Sequence, residues 1–563
     1  MSGVAVARDP DADAVARARA VEPAKTTPPA TAAAAPEAAR PPFVPMPAWR
    51  AAAYASASVL LGLTQGLGIN LVTANLASAQ GSLGVTQIEA NWLIAAYMAT
   101  NIFGTMVIYK IRTQFGLRRF AEIGLIAYTL VTIAHLFTRD LQSAIAVRAV
   151  MGIAAAPLST LAFFYMLEWL PPSRKLTVGV CLGLLGAQTA PSLARVISPE
   201  LLQLGDWHGL YLFETGLALM CLAVIFLLPI TPLPRLKIFD REDFLSFPLI
   251  AIGFGSLAVV LTMGRLYWWF DTPWIGTLLA VAIGALALLA IVELHRVHPA
   301  IDLRWLSSYD MLALAGSLFI FRFLLSEQTV GAVGILSVLG MQNEQMIPLF
   351  WVILIVTVIG YLFTAAVMTP TNVTRLHFVA LVLIAIASWQ DSHSTNLTRP
   401  EDFYITQSMM AFAGALFLPP ALLTGFGQAL KRGPMFILSF LVIFLGTQSL
   451  GGILCSAILG TFQTLREKFH SSVIADQLTL LNPLVAQRVQ TYAGAYARVL
   501  PDGSLRNAEG ALMLGRAATQ EANILAYNDM FHLIFVVTIL TMAGLLLHTI
   551  YLSIRQSRQP AAA

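Results

Sequence analysis

Five charged side chains lie inside long apolar stretches of this sequence: Arg148, Arg195, Glu214, Arg322 and Glu327. A charge inside an apolar helix is costly to bury, so its default interpretation is functional, facing a partner charge or a wet cavity. Burial raises the pKa of a carboxyl group and a nearby cation lowers it, so a carboxylate–arginine pair can load and release a proton as its surroundings change. Glu214 beside Arg195 or Arg148 could work in this way. The structural alternative is that Arg195 snorkels to the outer surface, Glu214 only packs, and Arg148 binds backbone carbonyls.

Arg322 and Glu327 form a second candidate site. They are five residues apart, which is poor spacing for one helix face because neighbours on a face lie three or four residues apart. We therefore expect the two side chains to reach different helices, with Arg322 in the membrane and Glu327 nearer the interface.

The elements that hold these charges are apolar helices. Of the 563 residues, 57% are hydrophobic and only 11% are charged, which excludes a soluble globular protein of this size. The three cysteines lie in apolar runs, so neither disulfides nor a metal site is expected. The sequence has no Walker motif, which argues against ATP-driven transport. It also lacks the clustered His, Asp and Glu residues of a membrane-bound enzyme, so we expect no catalytic residue, no cofactor and no nucleic-acid partner.

Fourteen apolar windows are each long enough to cross a bilayer, which predicts an all-α polytopic membrane protein. Basic residues follow the even-numbered windows and acidic residues occupy the intervening loops, so both termini are predicted to be cytoplasmic. Residues 1–48 are rich in Ala and Pro and predict a disordered cytoplasmic tail, and residues 555–563 form a second tail. No cleavable signal peptide is recognisable, so the first window must act as the targeting signal.

Two segments have patterns of their own. Small residues recur every three or four positions from Gly179 to Ala194, which predicts a smooth face for close helix packing, and Pro191 predicts a bend. A short turn is expected between this helix, which ends near residue 198, and the returning helix from about residue 209 that carries Glu214. Residues 463–528 form the one long loop on the outer side, and their helical spacing predicts a hairpin or cap. This loop is either a passive lid or a docking surface for a partner.

Four sequence stretches carry a family resemblance. They are HPAIDLRWL (298–306), NLASAQGSLGVTQIEANWLIAAYM (75–98), FLGTQSLGGILCSAILGTFQTLREKFHSS (444–472) and AYNDMFHL (526–533). Together, and in this order, they resemble the fourteen-helix drug:proton antiporters of the major facilitator superfamily, the EmrB/QacA type. They are most similar to the EmrB-like inner-membrane components of tripartite efflux systems.

The resemblance implies a six-helix bundle over residues 49–231, an inserted helix pair over 232–297 and a second bundle over 298–554. It also implies alternating access by rocking of the bundles, with export of small molecules driven by proton entry. The expected location is the bacterial inner membrane. By the same resemblance, a periplasmic adaptor and an outer-membrane channel would meet the protein through residues 463–528.

The chain departs from the family pattern at several positions. The family often has an acidic residue where Gly68 stands in the first helix. The loop after the second helix keeps Gly116, Arg118 and Arg119, but Thr113 replaces an aspartate. We therefore hypothesise that proton coupling has moved to Glu214.

The family's antiporter motif, G-P-x-x-G-G, is also altered in this chain. It runs from Ala190-Pro191 to Ala194-Arg195, on the helix that also carries Gly183 and Gly186. Arg148 matches a fourth-helix arginine that is implicated in proton coupling in relatives.

Three functions remain open from the sequence. The leading one is a proton-motive-force-driven exporter of amphipathic small molecules from the cytoplasm or inner leaflet. The second is a dedicated exporter of one endogenous metabolite, such as a siderophore, aromatic acid or lipid, and the buried arginines would suit an anionic one. The third, outside transport, is a membrane sensor or scaffold.

Overall fold

A computed structural model describes residues 45–231, 238–296, 299, 301–433 and 436–557 of the chain. Most of the predicted 1–48 tail, the end of the 555–563 tail and His298 of the HPAIDLRWL stretch lie outside these residues. The long helices of the described part are α1 (Ala48–Ala74), α2 (Trp92–Phe115), α3 (Leu117–His135), α4 (Leu141–Trp169), α5 (Val180–Leu227), α6 (Asp243–Met263), α7 (Pro273–His295), α8 (Tyr309–Ser326), α9 (Asn343–Val367), α10 (Val373–Asp391), α11 (Tyr404–Arg432), α12 (Phe436–Gln477), α13 (Pro483–Ala495) and α14 (Gly503–Ser557).

Within the described residues, twelve helices are long and apolar enough to cross a membrane. One of them, the segment Pro172–Leu227, has 56 residues, which is enough for two crossings. The 19-residue helix α3 is not among the twelve, and it carries three charged residues, Arg118, Arg119 and Glu122, near its start. The predicted all-α membrane fold is confirmed, and the count of fourteen crossings is consistent with it but stays a prediction.

Helix α5 has two arms. Its only non-helical backbone angles are at Gly205 (φ 175°) and Asp206 (φ 50°), and the helix runs on either side of them. The backbone stays helical at Pro191, and the break lies fourteen residues beyond it, in the short turn that the sequence predicts before the returning helix. Aspartate tolerates a positive φ better than most residues because its short polar side chain bonds locally.

The first arm of α5 packs closely on α1. A Cβ added at Gly66 would lie 2.4 Å from the Ala190 Cβ, and one added at Gly186 would lie 2.4 Å from the Val59 carbonyl oxygen. Side chains larger than these would force the two helices apart. The close packing that the small-residue face predicts is therefore present.

The turn between α2 and α3 depends on Gly116. Its φ of 88° lies in the left-handed region, which glycine adopts without the steric cost that a Cβ brings. The Arg118 side chain then bonds Glu122 one turn later, at 2.9 Å, and both Arg118 and Arg119 are exposed. Gly116 thus has a clear backbone role, while the arginines face outward.

Helices α6 and α7 pack on each other, and α6 also packs on α2 and α12. Salt bridges join one end of the α6–α7 pair to α2 and to the residue that follows α7. Asp243 accepts bonds from Lys110 of α2 at 2.5 Å and from Arg296 at 2.8 Å, and Arg296 also bonds Glu293 at 3.0 Å. This group is largely buried, so each carboxylate balances a cation that would be costly to leave alone.

Residues 463–528 are mostly helical. They comprise the end of α12, all of α13 and the beginning of α14. Helix α13 lies against α14, where a Cβ added at Gly510 would be 2.4 Å from the Val489 carbonyl oxygen. The position of this segment outside the membrane, like the bundle boundaries at 49–231, 232–297 and 298–554, stays a prediction.

Candidate functional site

The Glu214 carboxyl group lies at the centre of a buried polar group formed by α1, α3, α4 and the second arm of α5. Its side chain is 1% exposed, and the Tyr128 hydroxyl donates a 2.8 Å hydrogen bond to its Oε1. A Cβ added at Gly68 would lie 2.8 Å from that same oxygen. The Glu214 carboxyl therefore lies beside the backbone of residue 68, the position at which the resemblance predicts an acid.

Arg148 is fully buried one helix away, on α4. Its Nη1 donates to the Gly68 carbonyl at 2.7 Å, its Nε to the Leu93 carbonyl at 3.5 Å, and its guanidinium carbon is 4.5 Å from the centre of the Tyr97 ring. Its Nη2 has no hydrogen-bond partner among the described residues. No salt bridge joins Arg148 to Glu214 within 4.0 Å in the described part of the chain. Both side chains nonetheless meet the backbone of Gly68 from different helices.

Arg195 does not join this group. Its Nη1 donates to the Asn343 Oδ1 at 2.7 Å, and its guanidinium carbon is 5.1 Å from the centre of the Phe350 ring on α9. The suggested pairing of Glu214 with Arg195 is therefore wrong in this structure, because the two side chains point to different neighbours.

Asn343 also bonds the end of α1. Its Nδ2 is 2.9 Å from the Ala74 carbonyl oxygen and 3.2 Å from the Asn75 Oδ1, and Asn75 in turn donates to the Ser198 hydroxyl at 2.6 Å. Arg195 thus belongs to a polar link between α1, the first arm of α5 and α9. We call this set, comprising Arg195, Asn343, Asn75 and Ser198, the polar link.

Arg322 lies against α12. A Cβ added at Gly452 would lie 2.9 Å from its Nη2, so a glycine is what allows the guanidinium to sit there. Its Nε is buried and has no hydrogen-bond partner among the described residues. No carboxylate of the described chain lies within salt-bridge distance of Arg322. The Arg322 side chain is thus half-buried, with an Nε–H that no described residue accepts from.

Glu327 is fully buried, contrary to its expected place near the interface. It begins a π-helical turn, Glu327–Ala332, that continues α8. Gln407 of α11 donates from its Nε2 to both Glu327 carboxyl oxygens, at 3.1 and 3.2 Å, and to the Asp391 Oδ2 at 3.2 Å. As the spacing predicts, Glu327 and Arg322 contact different helices. Asp391 ends α10 and is 4% exposed.

The remaining predicted site residues are packing residues of α5. Gly183 faces Phe163, whose ring carbon would be 2.9 Å from an added Cβ, while Ala190 and Ala194 are fully buried. Sequence reasoning missed Tyr128, Asp391 and Gln407. The sequence predicts a loop position for Asp391, because this residue ends an apolar run. Tyr128 and Gln407 are polar residues within apolar helices, and that property was the available signal.

Comparison with known proteins gives consistent matches. The family model described as "Major Facilitator Superfamily" matches residues 58–390, more than half of the chain. The multidrug export protein EmrB of Escherichia coli K12 is 24% identical over 225 residues, which cover 40% of this chain and 43% of EmrB. The fatty acid resistance protein FarB of Neisseria gonorrhoeae is 24% identical over 270 residues, covering 46% of this chain and 51% of FarB.

The chain thus aligns with about half the length of these relatives or less. Among solved structures, the human organic anion transporter MFSD10 has a TM-score of 0.53 at 14% identity, covering 88% of this chain and 100% of its own. The proton:xylose symporter XylE has a TM-score of 0.51 at 13% identity, covering 87% of this chain and 95% of its own. At these identities the likeness concerns the fold alone.

Proposed function

We propose that this chain, which belongs to the Major Facilitator Superfamily, exports amphipathic small molecules across the bacterial inner membrane in exchange for protons, with Glu214 as the proton-carrying group. The observation that carries the proposal is the burial of the Glu214 carboxyl beside Tyr128, Gly68 and Arg148. The names of its relatives, which include multidrug export and fatty acid resistance proteins, support the exporter class.

The proposed mechanism uses groups that already meet at Gly68. Alternating access would bring the Glu214 carboxyl into contact with water from one side and then from the other. The nearby Arg148 favours the ionised carboxylate when the two groups approach, and separation of the groups favours the protonated acid. Arg148 Nη2 and the Tyr97 hydroxyl are buried without a hydrogen-bond partner in the described chain, so both can bond a water or a rearranged Glu214.

The test measures proton movement in proteoliposomes that contain wild-type protein or the Glu214→Gln variant. Cationic, neutral and anionic amphiphiles are added in turn, including a long-chain fatty acid. We expect at least one of them to start proton flux with the wild type and to start none with the variant. Glu344→Gln, which removes an exposed carboxylate in the first turn of α9, is the matched control and should keep the flux. Equal flux in wild type and Glu214→Gln would contradict the assignment of Glu214.

Arg322 supports a second candidate function, the dedicated export of an anionic substrate. Its Nε is buried and unpartnered within the described chain, and its guanidinium lies against the backbone of Gly452. An anion bound there would neutralise a charge that is otherwise costly to bury.

For this second candidate, Arg322→Gln should remove the flux that anionic amphiphiles start and leave any flux started by cationic ones. Arg375→Gln changes an exposed arginine of α10 and serves as the control. If the response to anions is the same in Arg322→Gln as in the wild type, Arg322 has no role in recognising the substrate.

We also propose that residues 463–528 meet a periplasmic adaptor, which would connect the protein to an outer-membrane channel. The tip of this segment exposes Leu481 to 93% and Leu484 to 73%, and apolar side chains of this size at a tip suit a protein partner. A photoreactive residue at position 481 should crosslink to a co-expressed adaptor, and one at position 397, where an exposed leucine lies in another loop, should not. Equal crosslinking at both positions would contradict the docking surface.

A further inference from the structure

We propose that Glu327, Asp391 and Gln407 form a second proton site, in which the two carboxyl groups share one proton. We call it the carboxyl pair site. The site lies where the π-helical turn after α8, the end of α10 and the beginning of α11 meet. It contains neither Glu214 nor any other residue of the group around Gly68. A proton bound here would be additional to the one proposed for Glu214.

The closeness of the two buried carboxyl groups indicates that they hold one proton between them. The Gln407 Nε2 lies within hydrogen-bond distance of both carboxyl groups, at 3.1 and 3.2 Å from the two Glu327 oxygens and at 3.2 Å from the Asp391 Oδ2, and both acidic side chains are almost completely buried. An ionised carboxylate only accepts hydrogen bonds, so two ionised groups cannot bond one another. One shared proton supplies the missing donor. It also removes one of two negative charges that would otherwise lie side by side in a site of low dielectric constant.

The charged side chains of the neighbouring helices face groups other than the two carboxyls. On α8, Arg322 lies against Gly452 of α12. On α14, Asp529 bonds Arg466 and His470 of α12, both at 2.6 Å. None of these cations lies within salt-bridge distance of Glu327 or Asp391 in the described chain.

Two histidines lie close to the Asp391 end of the site. His393 bonds the Trp389 carbonyl oxygen at 2.8 Å, and the His532 ring of α14 is centred 6.0 Å from the Trp389 ring. Arg399, further along the same loop, bonds the carbonyl oxygens of Asn396 and Thr398. These groups face backbone and aromatic neighbours, so the described chain offers the carboxyl pair no cation as a substitute for a proton.

Gln407 provides an independent sign that a proton belongs at this site. Its side chain is fully buried, and its Oε1 has no hydrogen-bond partner among the described residues. The Nε2 now donates to the carboxyl oxygens. A half-turn of the amide would instead present Oε1, which can accept a hydrogen bond from a protonated carboxyl. Gln407 can therefore hydrogen-bond the two carboxyl groups whether or not they hold the proton.

A proton suits this geometry better than a sodium ion. Sodium needs several oxygen ligands arranged around it, whereas here the Gln407 Nε2, a hydrogen-bond donor that cannot ligate a cation, lies within 3.2 Å of both carboxyl groups. The charge stored at the site is therefore one proton, released when movement of α8 or α11 separates Glu327 from Asp391.

The test detects the proton directly, without any transported molecule. Purified protein in lipid nanodiscs is studied by infrared difference spectroscopy, following the carbonyl stretch of protonated carboxylic acids and its shift in heavy water. We expect Glu327→Gln and Asp391→Asn each to remove the same component of this band. Glu344→Gln, the exposed control, should leave every component in place.

Two results would overturn the proposal. One is a band unchanged in both Glu327→Gln and Asp391→Asn. The other is a component that sodium chloride abolishes and choline chloride does not, because sodium would then occupy the site. The two pair variants report on one proton, so if one of them does not fold, the other still decides. The outcome is separate from the proposed function, since Glu214→Gln should affect a different component whether or not transport is observed.

Discussion

The side chain of Glu214 and the missing side chain of Gly68 occupy adjoining space. The Cβ that any other residue would bring to position 68 would lie 2.8 Å from the Glu214 Oε1 and 3.3 Å from the Tyr128 hydroxyl. An acid at position 68 would bring its own carboxyl into the same region. Glycine on α1 and glutamate on α5 therefore form one arrangement, in which the acid is supplied by the other helix.

Gly68→Ala tests this arrangement. Alanine in a helix is ordinarily more stable than glycine by about 0.5–1 kcal/mol. Here we expect a net loss of about 1 kcal/mol, because the added methyl group displaces the Glu214 carboxyl from its hydrogen bond with Tyr128. Thermal unfolding in detergent measures the effect.

The same substitution in a Glu214→Ala background should be stabilising, since the space beside residue 68 is then free. Gly216→Ala on α5 is the control for helix propensity, because an added Cβ there meets nothing within 4 Å. The same loss with and without Glu214 would rule out the proposed competition for space.

The sequence was informative about Glu214 for a definite reason. A charge in an apolar helix has few explanations, and the absence of the expected acid at Gly68 suggested that another residue replaces it. The sequence could not show the partner of Glu214, because Tyr128 is some 86 residues away and one of 14 tyrosines. It favoured Arg195 equally with Arg148, since distance along the chain does not show which way a side chain points. The buried position of Asp391 could not be predicted either, because the end of an apolar run can lie inside the packed fold.

Helix α5 is the element that connects these features. Its second arm carries Glu214, while its first arm carries Arg195 and reaches α9 through Asn343. The polar link therefore holds α1, α5 and α9 together at one end. Its hydrogen bonds are few, so the link can hold this end in one conformation and break in another.

We predict that Asn343→Ala loosens this end of the molecule. The substitution removes the acceptor of Arg195 and both bonds to the end of α1. Spin labels at exposed positions 78 and 344 should then report longer or broader distances by pulsed electron resonance. Asn372→Ala is the control, because the Asn372 side chain bonds backbone atoms three and five residues before it, at Thr369 and Val367. An unchanged distance distribution in Asn343→Ala would show that the link does not hold the end closed.

Element boundaries were predicted less well than element type. The apolar windows correspond to helices because burial of backbone groups in lipid leaves few other choices. The helices nevertheless run beyond the windows, as α12 and α14 do, since hydropathy detects contact with lipid and not the end of backbone hydrogen bonding. The break at Gly205 and Asp206 lies in the turn that the sequence predicts before the helix that carries Glu214, whereas the backbone at Pro191 stays helical.

At the scale of the whole molecule, the loop charges predict which ends of the helices face the cytoplasm. A cysteine at position 481 should react with a membrane-impermeant maleimide on intact spheroplasts, since this residue is 93% exposed in the predicted outer segment. A cysteine at position 118 should react only after the membrane is permeabilised. The native Cys181, Cys221 and Cys455 are buried, so the background should be low. The reverse order of reactivity would invert the predicted topology.

Helix α14 runs without a break from the predicted outer segment into the last apolar window. It has 55 residues, so it is about 80 Å long, against a hydrocarbon core about 30 Å thick. About 40 Å of it, from residue 503 to 528, precede the apolar window, and α13 rests on this part. A continuous helix is stiff, so it acts as a lever arm: a tilt of about 10° within the membrane would sweep the far end through about 7 Å. If the proposed adaptor binds that end, a tilt of α14 would move it mechanically.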